Sequence, residues 1–256
     1  MTDQNKRIML LDKYLMYKFE WENHWVDIYS DTMKDFISAV LAPLVIFDKG
    51  IIDVIADFGC GQRPKSEILN TILKAKHRIL VDIGLPQEKD GLMAGNSLYV
   101  KVDMEELLKE TKCYEQKRRI AKFIGLGDIS PGRIEKNLEG KIDIAIFSDI
   151  FNYVDYKLIL DKIGKYIARD GRVVILNKPG RGYKEFFSDK GVKSNQDLID
   201  YIKSIGYYDM ERCLDARRSR PSYGPWREVE WYDYEDDNTW ILLILKKESK
   251  TFNLFT

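Results

Sequence analysis

Residues 53–64, Asp-Val-Ile-Ala-Asp-Phe-Gly-Cys-Gly-Gln-Arg-Pro, constrain the fold of this chain most tightly. Ile51, Ile52, Val54 and Ile55 make a short, almost continuous apolar run. Such a run suits a strand buried on both faces in the middle of a parallel sheet. It ends on Asp57 and turns through Gly59 and Gly61, whose missing Cβ atoms permit a sharp turn and close approach of a ligand to the backbone. Beyond Pro64, Ile68, Leu69, Ile72 and Leu73 recur at helical spacing over residues 65–74. Strand, glycine turn and helix together predict a ligand-binding crossover unit.

Asp57 limits which ligand. A Gly-x-Gly-x-x-Gly turn brings a pyrophosphate to this point, which a carboxylate would repel, and Pro64 stands where the third glycine of that pattern falls. An acid here suits an ammonium or sulfonium group. The stretch resembles the first motif, Asp/Glu-x-Gly-x-Gly-x-Gly, of the class I S-adenosylmethionine-dependent methyltransferases. Asp57, Gly59 and Gly61 match, and Arg63 replaces the last glycine. The plainer reading is a strand-to-helix turn with a capping acid.

Composition narrows the class. The 256 residues suffice for a substantial core, and 41 basic residues balance 41 acidic ones. Zero net charge argues against a general nucleic-acid or membrane-surface binder. Cys60, Cys113 and Cys213 are odd in number and widely spaced, forming neither a disulfide framework nor a metal pattern, which predicts a cytoplasmic protein. With only His24 and His77 in the chain, a histidine-ligated metal or a Ser-His-Asp triad is not expected. His77, among Lys74, Lys76 and Arg78, is expected to be solvated.

Two further predicted strands also end on acids. Residues 78–83 carry Asp82, 21 positions after Gly61, where a carboxylate can accept hydrogen bonds from both hydroxyls of a ribose. Residues 97–102 lead to Asp103 and Met104, which the resemblance assigns to the adenine: the acid to its exocyclic amine, the next side chain to its ring. Asp103 also reads as the N-cap of a helix beginning Glu105-Glu106. The crossover 105–141 is charged with both signs and reads as a solvated, ion-paired helix followed by a glycine-rich loop. A fourth strand, 142–147, leads into Ser148-Asp149-Ile150-Phe151-Asn152-Tyr153, where methyl group and acceptor meet in the resembling family. The Asn/Asp-Pro-Pro-Tyr/Phe motif of base-amine methyltransferases is missing there.

A helix is predicted over 156–168, a turn at Asp170-Gly171, a fifth strand over 172–177 and a glycine-rich loop over 178–183. A helix from Ser194 to Ile205, stopped by Gly206, precedes strands over 207–214 and 239–246, separated by an arginine- and tryptophan-bearing excursion, 215–238. Residues 1–47 show helical apolar stripes crowded with aromatics. The plainer reading packs these helices on the sheet; by resemblance they form a lid.

The predicted architecture is an α/β fold with a mixed seven-stranded sheet, mostly parallel with an antiparallel terminal strand. Helices cover both faces, with an N-terminal helical cap (1–47) ahead of the cofactor domain (48–256). The resemblance implies an S-adenosylmethionine-dependent methyltransferase; zero net charge and the missing base-amine motif point to a small-molecule or peptide acceptor, with no nucleic-acid or membrane partner. The resemblance assigns Asp57, Phe58, Gly59, Cys60, Gly61, Asp82, Ile83, Asp103, Met104, Ser148 and Asp149 to the cofactor. Tyr29, Asn152, Tyr153 and Arg181 go to the acceptor, and Asp149, Tyr153 and His24 are the candidates for proton transfer. The alternatives are an NAD(P)-dependent oxidoreductase and a non-catalytic S-adenosylmethionine-binding module.

Overall fold

The computed structural model describes residues 52–61, 75–180, 184–206, 208–216, 227–228 and 239–247. The predicted 1–47 cap, the helix over 65–74 and most of the 215–238 excursion lie outside these residues, as do His24, Tyr29 and Arg181. No helix among the described residues is long and apolar enough to cross a membrane.

The apolar run becomes strand β1 (Val54–Phe58), buried along its whole length. Val54, Ala56 and Phe58 face the main core, and Ile55 and Asp57 alternate to the opposite face. The other strands are β2 (His77–Val81), β3 (Met93–Ala94), β4 (Ser97–Val100), β5 (Ile142–Ser148), β6 (Ile167–Asn177), β7 (Tyr208–Ala216), β8 (Arg227–Glu228) and β9 (Trp240–Lys247). They form one sheet in the order β3-β4-β2-β1-β5-β6-β9-β7-β8. β4, β2, β1, β5 and β6 run parallel, and β9 inserts antiparallel between β6 and β7. Seven strands are thus of ordinary length, as expected. The two not foreseen, β3 and β8, are two-residue edge pairings too short to carry a period of their own.

The helices among the described residues are α1 (Met104–Leu107), α2 (Tyr114–Phe123), α3 (Ile134–Leu138), α4 (Tyr156–Ile163) and α5 (Asn195–Ile205). All five contribute to the core cluster that covers the Val54-Ala56-Phe58 face. Phe58 stacks on Phe147 at 5.1 Å and Phe147 leans on Phe151 at 5.2 Å, joining β1, β5 and the turn after β5 into one aromatic column. The opposite face is equally buried, with Ile55, Leu80, Ile144, Ile146, Val174 and Leu242 at 1% exposure or less. Side-chain caps fix the starts of α4 and α5. The side chains of Asp155 and Ser194 accept the N–H groups of Leu158 and Asp197, and Gly206 closes α5 at φ 57°.

Three local expectations change. α4 ends at Ile163, and Ile167 and Ala168, expected at its end, open β6. Gly171, read as a turn, lies within that strand. A Cβ there would sit 2.9 Å from the carbonyl oxygens of Ile142 and Asp143, so the glycine permits close backbone approach across a register shift. His77 is half-buried at the start of β2 with Phe123 edge-on at 5.2 Å, because the α2 crossover folds back over that strand end.

Candidate functional site

The sheet order places the site. After β1 the chain moves outward to β2 and β4, then returns to add β5 and β6 on the other side of β1. The crevice beyond the carboxyl ends of β1 and β5 is therefore a topological switch point, where open α/β sheets bind ligands. Both stretches singled out in the sequence, the glycine turn and residues 148–153, leave the sheet there.

The glycine turn is tied to the end of β2. Gly59 and Cys60 donate their N–H groups to the Val81 carbonyl at 2.8 and 3.2 Å, and Gly61 donates to Asp82 Oδ2 at 2.8 Å. Asp82 Oδ1 accepts the Gly84 N–H at 2.6 Å. All three turn N–H groups thus already donate within the protein. The Phe58 ring and the Cys60 thiol point into buried clusters, the thiol beside Leu80 and Leu85, which leaves their backbone at the turn. Gly59 adopts φ 74° and Gly61 φ 64°, the left-handed region that favours glycine. Ile150 lies directly over Gly59: a Cβ there would be 2.9 Å from Ile150 Cγ1 and 3.2 Å from Ile150 Cβ.

Four acids stand at or just beyond the carboxyl ends of the adjacent strands β4, β2, β1 and β5: Asp103, Asp82, Asp57 and Asp149. At the usual strand spacing this row spans about 15 Å. Asp57 is fully buried, and Asp82, Asp103 and Asp149 are half-buried. Asp103 caps α1 by accepting the Glu105 N–H at 2.8 Å, the alternative role weighed for it. Met104 belongs to the core cluster at 6% exposure, whereas Ile83, next to Asp82, leaves 39% of its surface open. Ser148, half-buried, closes β5.

Asp149 is a non-glycine residue at φ 56°, held there as its N–H donates to the Leu176 carbonyl at 2.7 Å. A left-handed conformation costs an L-residue about 1–2 kcal/mol, and it turns the chain so that Ile150 meets Gly59. The turn then docks on loop 184–192. Ser188 N–H donates to the Asn152 carbonyl, Val192 N–H to that of Phe151, and the Asn152 amide to the Lys178 carbonyl at 2.9 Å. Tyr153 meets Phe187 edge-on at 5.4 Å. The sequence reading missed Ile150 as a contact, Phe187 and Asn177. Ile150 and Phe187 act through approaches that no local pattern announces, while Asn177 was visible as the one polar residue ending an apolar strand.

The fold is shared with solved class I methyltransferases. The 1,6-didemethyltoxoflavin-N1-methyltransferase of Burkholderia thailandensis, solved with 1,6-didemethyltoxoflavin and S-adenosylhomocysteine, aligns over 96% of this chain and 91% of its own, at 14% identity and a TM-score of 0.55. The magnesium protoporphyrin IX methyltransferase of Synechocystis PCC 6803, solved with S-adenosylmethionine, aligns over 94% and 97%, at 14% identity and a TM-score of 0.53. No protein-family model matches the chain, and neither does any curated protein sequence.

Proposed function

We propose that this chain is an S-adenosylmethionine-dependent methyltransferase that methylates a small molecule or a peptide. The observation that carries the reading is the glycine turn's hydrogen bonding together with the row of acids. A dinucleotide's pyrophosphate needs backbone N–H donors at this turn, yet those of Gly59, Cys60 and Gly61 are engaged by Val81 and Asp82. Asp57, Asp82, Asp103 and Asp149 supply acceptors and negative charge, the complement of a cationic ligand rich in hydroxyl and amino groups. The two structural neighbours, solved with S-adenosylmethionine or its demethylated product, agree with this choice over a nicotinamide cofactor.

The residues present fit the cofactor. Asp57 and the backbone at Gly59 and Gly61 would hold its amino-acid end, Asp82 the ribose, and Ile83 and Asp103 the base. When bound, it supplies an electrophilic methyl group on a sulfonium. The protein's own task is then alignment and exclusion of water, worth several kcal/mol. Asp149, Asn152 and Tyr153, on the turn that follows β5, would orient the acceptor, although Asn152 is buried with its amide on the Lys178 carbonyl. Asp149 or Tyr153 takes a proton where the acceptor arrives protonated. His24, Tyr29 and Arg181 are proposed for the same acceptor side on the sequence alone. A nucleic-acid acceptor is not part of the proposal, and a submicromolar, steeply salt-dependent affinity for labelled RNA or DNA would contradict that.

Calorimetry tests the core of the proposal. S-adenosylhomocysteine is expected to bind in the micromolar range and NAD not to bind; tight NAD binding without adenosylhomocysteine heat sinks it. Asp82→Ala is expected to weaken adenosylhomocysteine at least about tenfold, since charge-assisted hydrogen bonds contribute about 1.5–3 kcal/mol each. An unchanged affinity in a folded Asp82→Ala chain would confine Asp82 to holding Gly61 and Gly84.

A further inference from the structure

Asn177 is the last residue of β6 and is fully buried. Its neighbours on either side serve the acceptor turn: the Leu176 carbonyl accepts the Asp149 N–H, and the Lys178 carbonyl accepts the Asn152 amide. Its own carboxamide does neither. Among the described residues, neither Nδ2 nor Oδ1 of Asn177 has a hydrogen-bond partner. The rest of β6 from Val173 to Leu176 is apolar and buried, so a leucine would extend the strand without that cost. A buried amide with no partner destabilises the fold. Retaining such a cost next to a ligand site is the usual signature of a stability–function trade-off.

We infer that Asn177 is a specificity-determining residue whose carboxamide hydrogen-bonds the methyl acceptor. The inference rests on the methyltransferase reading only in calling that ligand an acceptor. A carboxamide offers one donor edge and one acceptor edge side by side, so it selects a ligand with the complementary pair: a neutral amide, lactam or heteroaromatic N–H/C=O edge. A carboxylate satisfies only the donor and an ammonium only the acceptor. Leaving half of a buried amide unpaired rejects both, as sites built on hydrogen bonds reject analogues that lack them. Asn177 is fully buried, and the turn at Phe151–Asn152 is joined to loop 184–192 by two backbone hydrogen bonds. For the carboxamide to reach an acceptor, that junction must part.

The test uses the full chain with pyridone, nicotinamide and hypoxanthine as probes, and N-methylpyridone as the control that has lost the donor. Ligand-observed NMR titrations are run with and without S-adenosylhomocysteine. At least one probe is expected to bind the wild type, with N-methylpyridone weaker. Asn177→Leu should lose that probe at least about tenfold while its melting temperature rises by about 2–6 °C. Asn177→Ala gives the same binding readout should the leucine variant fail to fold. No probe binding to the wild type, or equal binding to the variants, overturns the inference. So does a lower melting temperature for a folded Asn177→Leu chain, because the carboxamide would then already be satisfied. Failure of adenosylhomocysteine to bind the wild type counts against the methyltransferase reading, separately from the probe result.

Discussion

Glu135→Ala is expected to destabilise the folded chain by about 3–5 kcal/mol, because it strands a buried lysine. Lys117 lies on α2, in the crossover whose charges read as a solvated face, yet its side chain is 2% exposed. Its ammonium pairs with Glu135 of α3 and donates to the Lys109 carbonyl at 2.5 Å. Its stem helps line a small apolar cavity with Phe58, Val81, Ile120 and Tyr166, so an unpaired ammonium would face hydrocarbon. Glu135 also accepts from Tyr166 Oη and pairs with Lys165 at 3.2 Å, tying both helices to the chain entering β6. Burial opposes ionisation of Glu135, but the hydrogen bonds from Lys117 and Tyr166 outweigh it and hold the carboxyl below its usual range. Burial and then Glu135 push the Tyr166 phenol above its own range.

The sign for pH follows. A carboxyl depressed in the folded state contributes its stability above the ordinary value of 4.5, and that contribution is lost as pH falls through the folded value. Urea melts at neutral pH should therefore show a large gap between wild type and Glu135→Ala, and the gap should narrow below about pH 4. Lys117→Met in the Glu135→Ala background should recover much of the loss, since the double variant buries no lone charge. A cost below about 1 kcal/mol for Glu135→Ala would mean that the pair is hydrated and worth no more than a surface contact.

Lys117 also shows where sequence reading stops. The burial of β1, the cap at Ser194 and the stop at Gly206 follow from period and turn chemistry, which are local. They therefore survive into the structure. Burial of one lysine among several on a charged helix depends on α3 packing across it, which no spacing on α2 encodes. The same holds for Gly171, whose partner is the β5 backbone about thirty residues away, and for Asp143, whose carboxylate accepts the N–H groups of Asp53 and Val54 at 2.7 and 3.0 Å. At the site, three of the four acids, Asp57, Asp82 and Asp103, were legible as a row because each closes a predicted strand, whereas Asp149 follows Ser148 beyond its strand. The use of the turn's own N–H groups was not, because it depends on where β2 ends beside β1.

Gly59→Ala is expected to cost about 2–5 kcal/mol and to weaken S-adenosylhomocysteine binding by more than tenfold, by two separable routes. The first is backbone strain: φ 74° is left-handed, costing an L-residue about 1–2 kcal/mol wherever it sits. The second is crowding. The new Cβ would lie 2.9, 3.0 and 3.2 Å from Ile150 Cγ1, Cδ1 and Cβ, and overpacking of this kind costs about 1–3 kcal/mol. The isoleucine tip can rotate away, but its Cβ is fixed by a backbone that Asp149 already holds left-handed. Ile150→Ala removes the two nearest atoms, Cγ1 and Cδ1, and keeps only the Cβ at 3.2 Å, so it should relieve most of the crowding and leave the strain. In a double-mutant cycle, the penalty of Gly59→Ala should be smaller by about 1–3 kcal/mol in the Ile150→Ala background than in the wild type. Cofactor affinity should recover in the same direction, because the turn bearing Gly61 and its bond to Asp82 returns to its place. Additive effects of the two substitutions, in urea melts and calorimetry alike, would show that the two turns are not in contact. Coupling in both would place the 149–153 turn directly against the 59–61 turn, the proximity that the proposed methyl transfer requires.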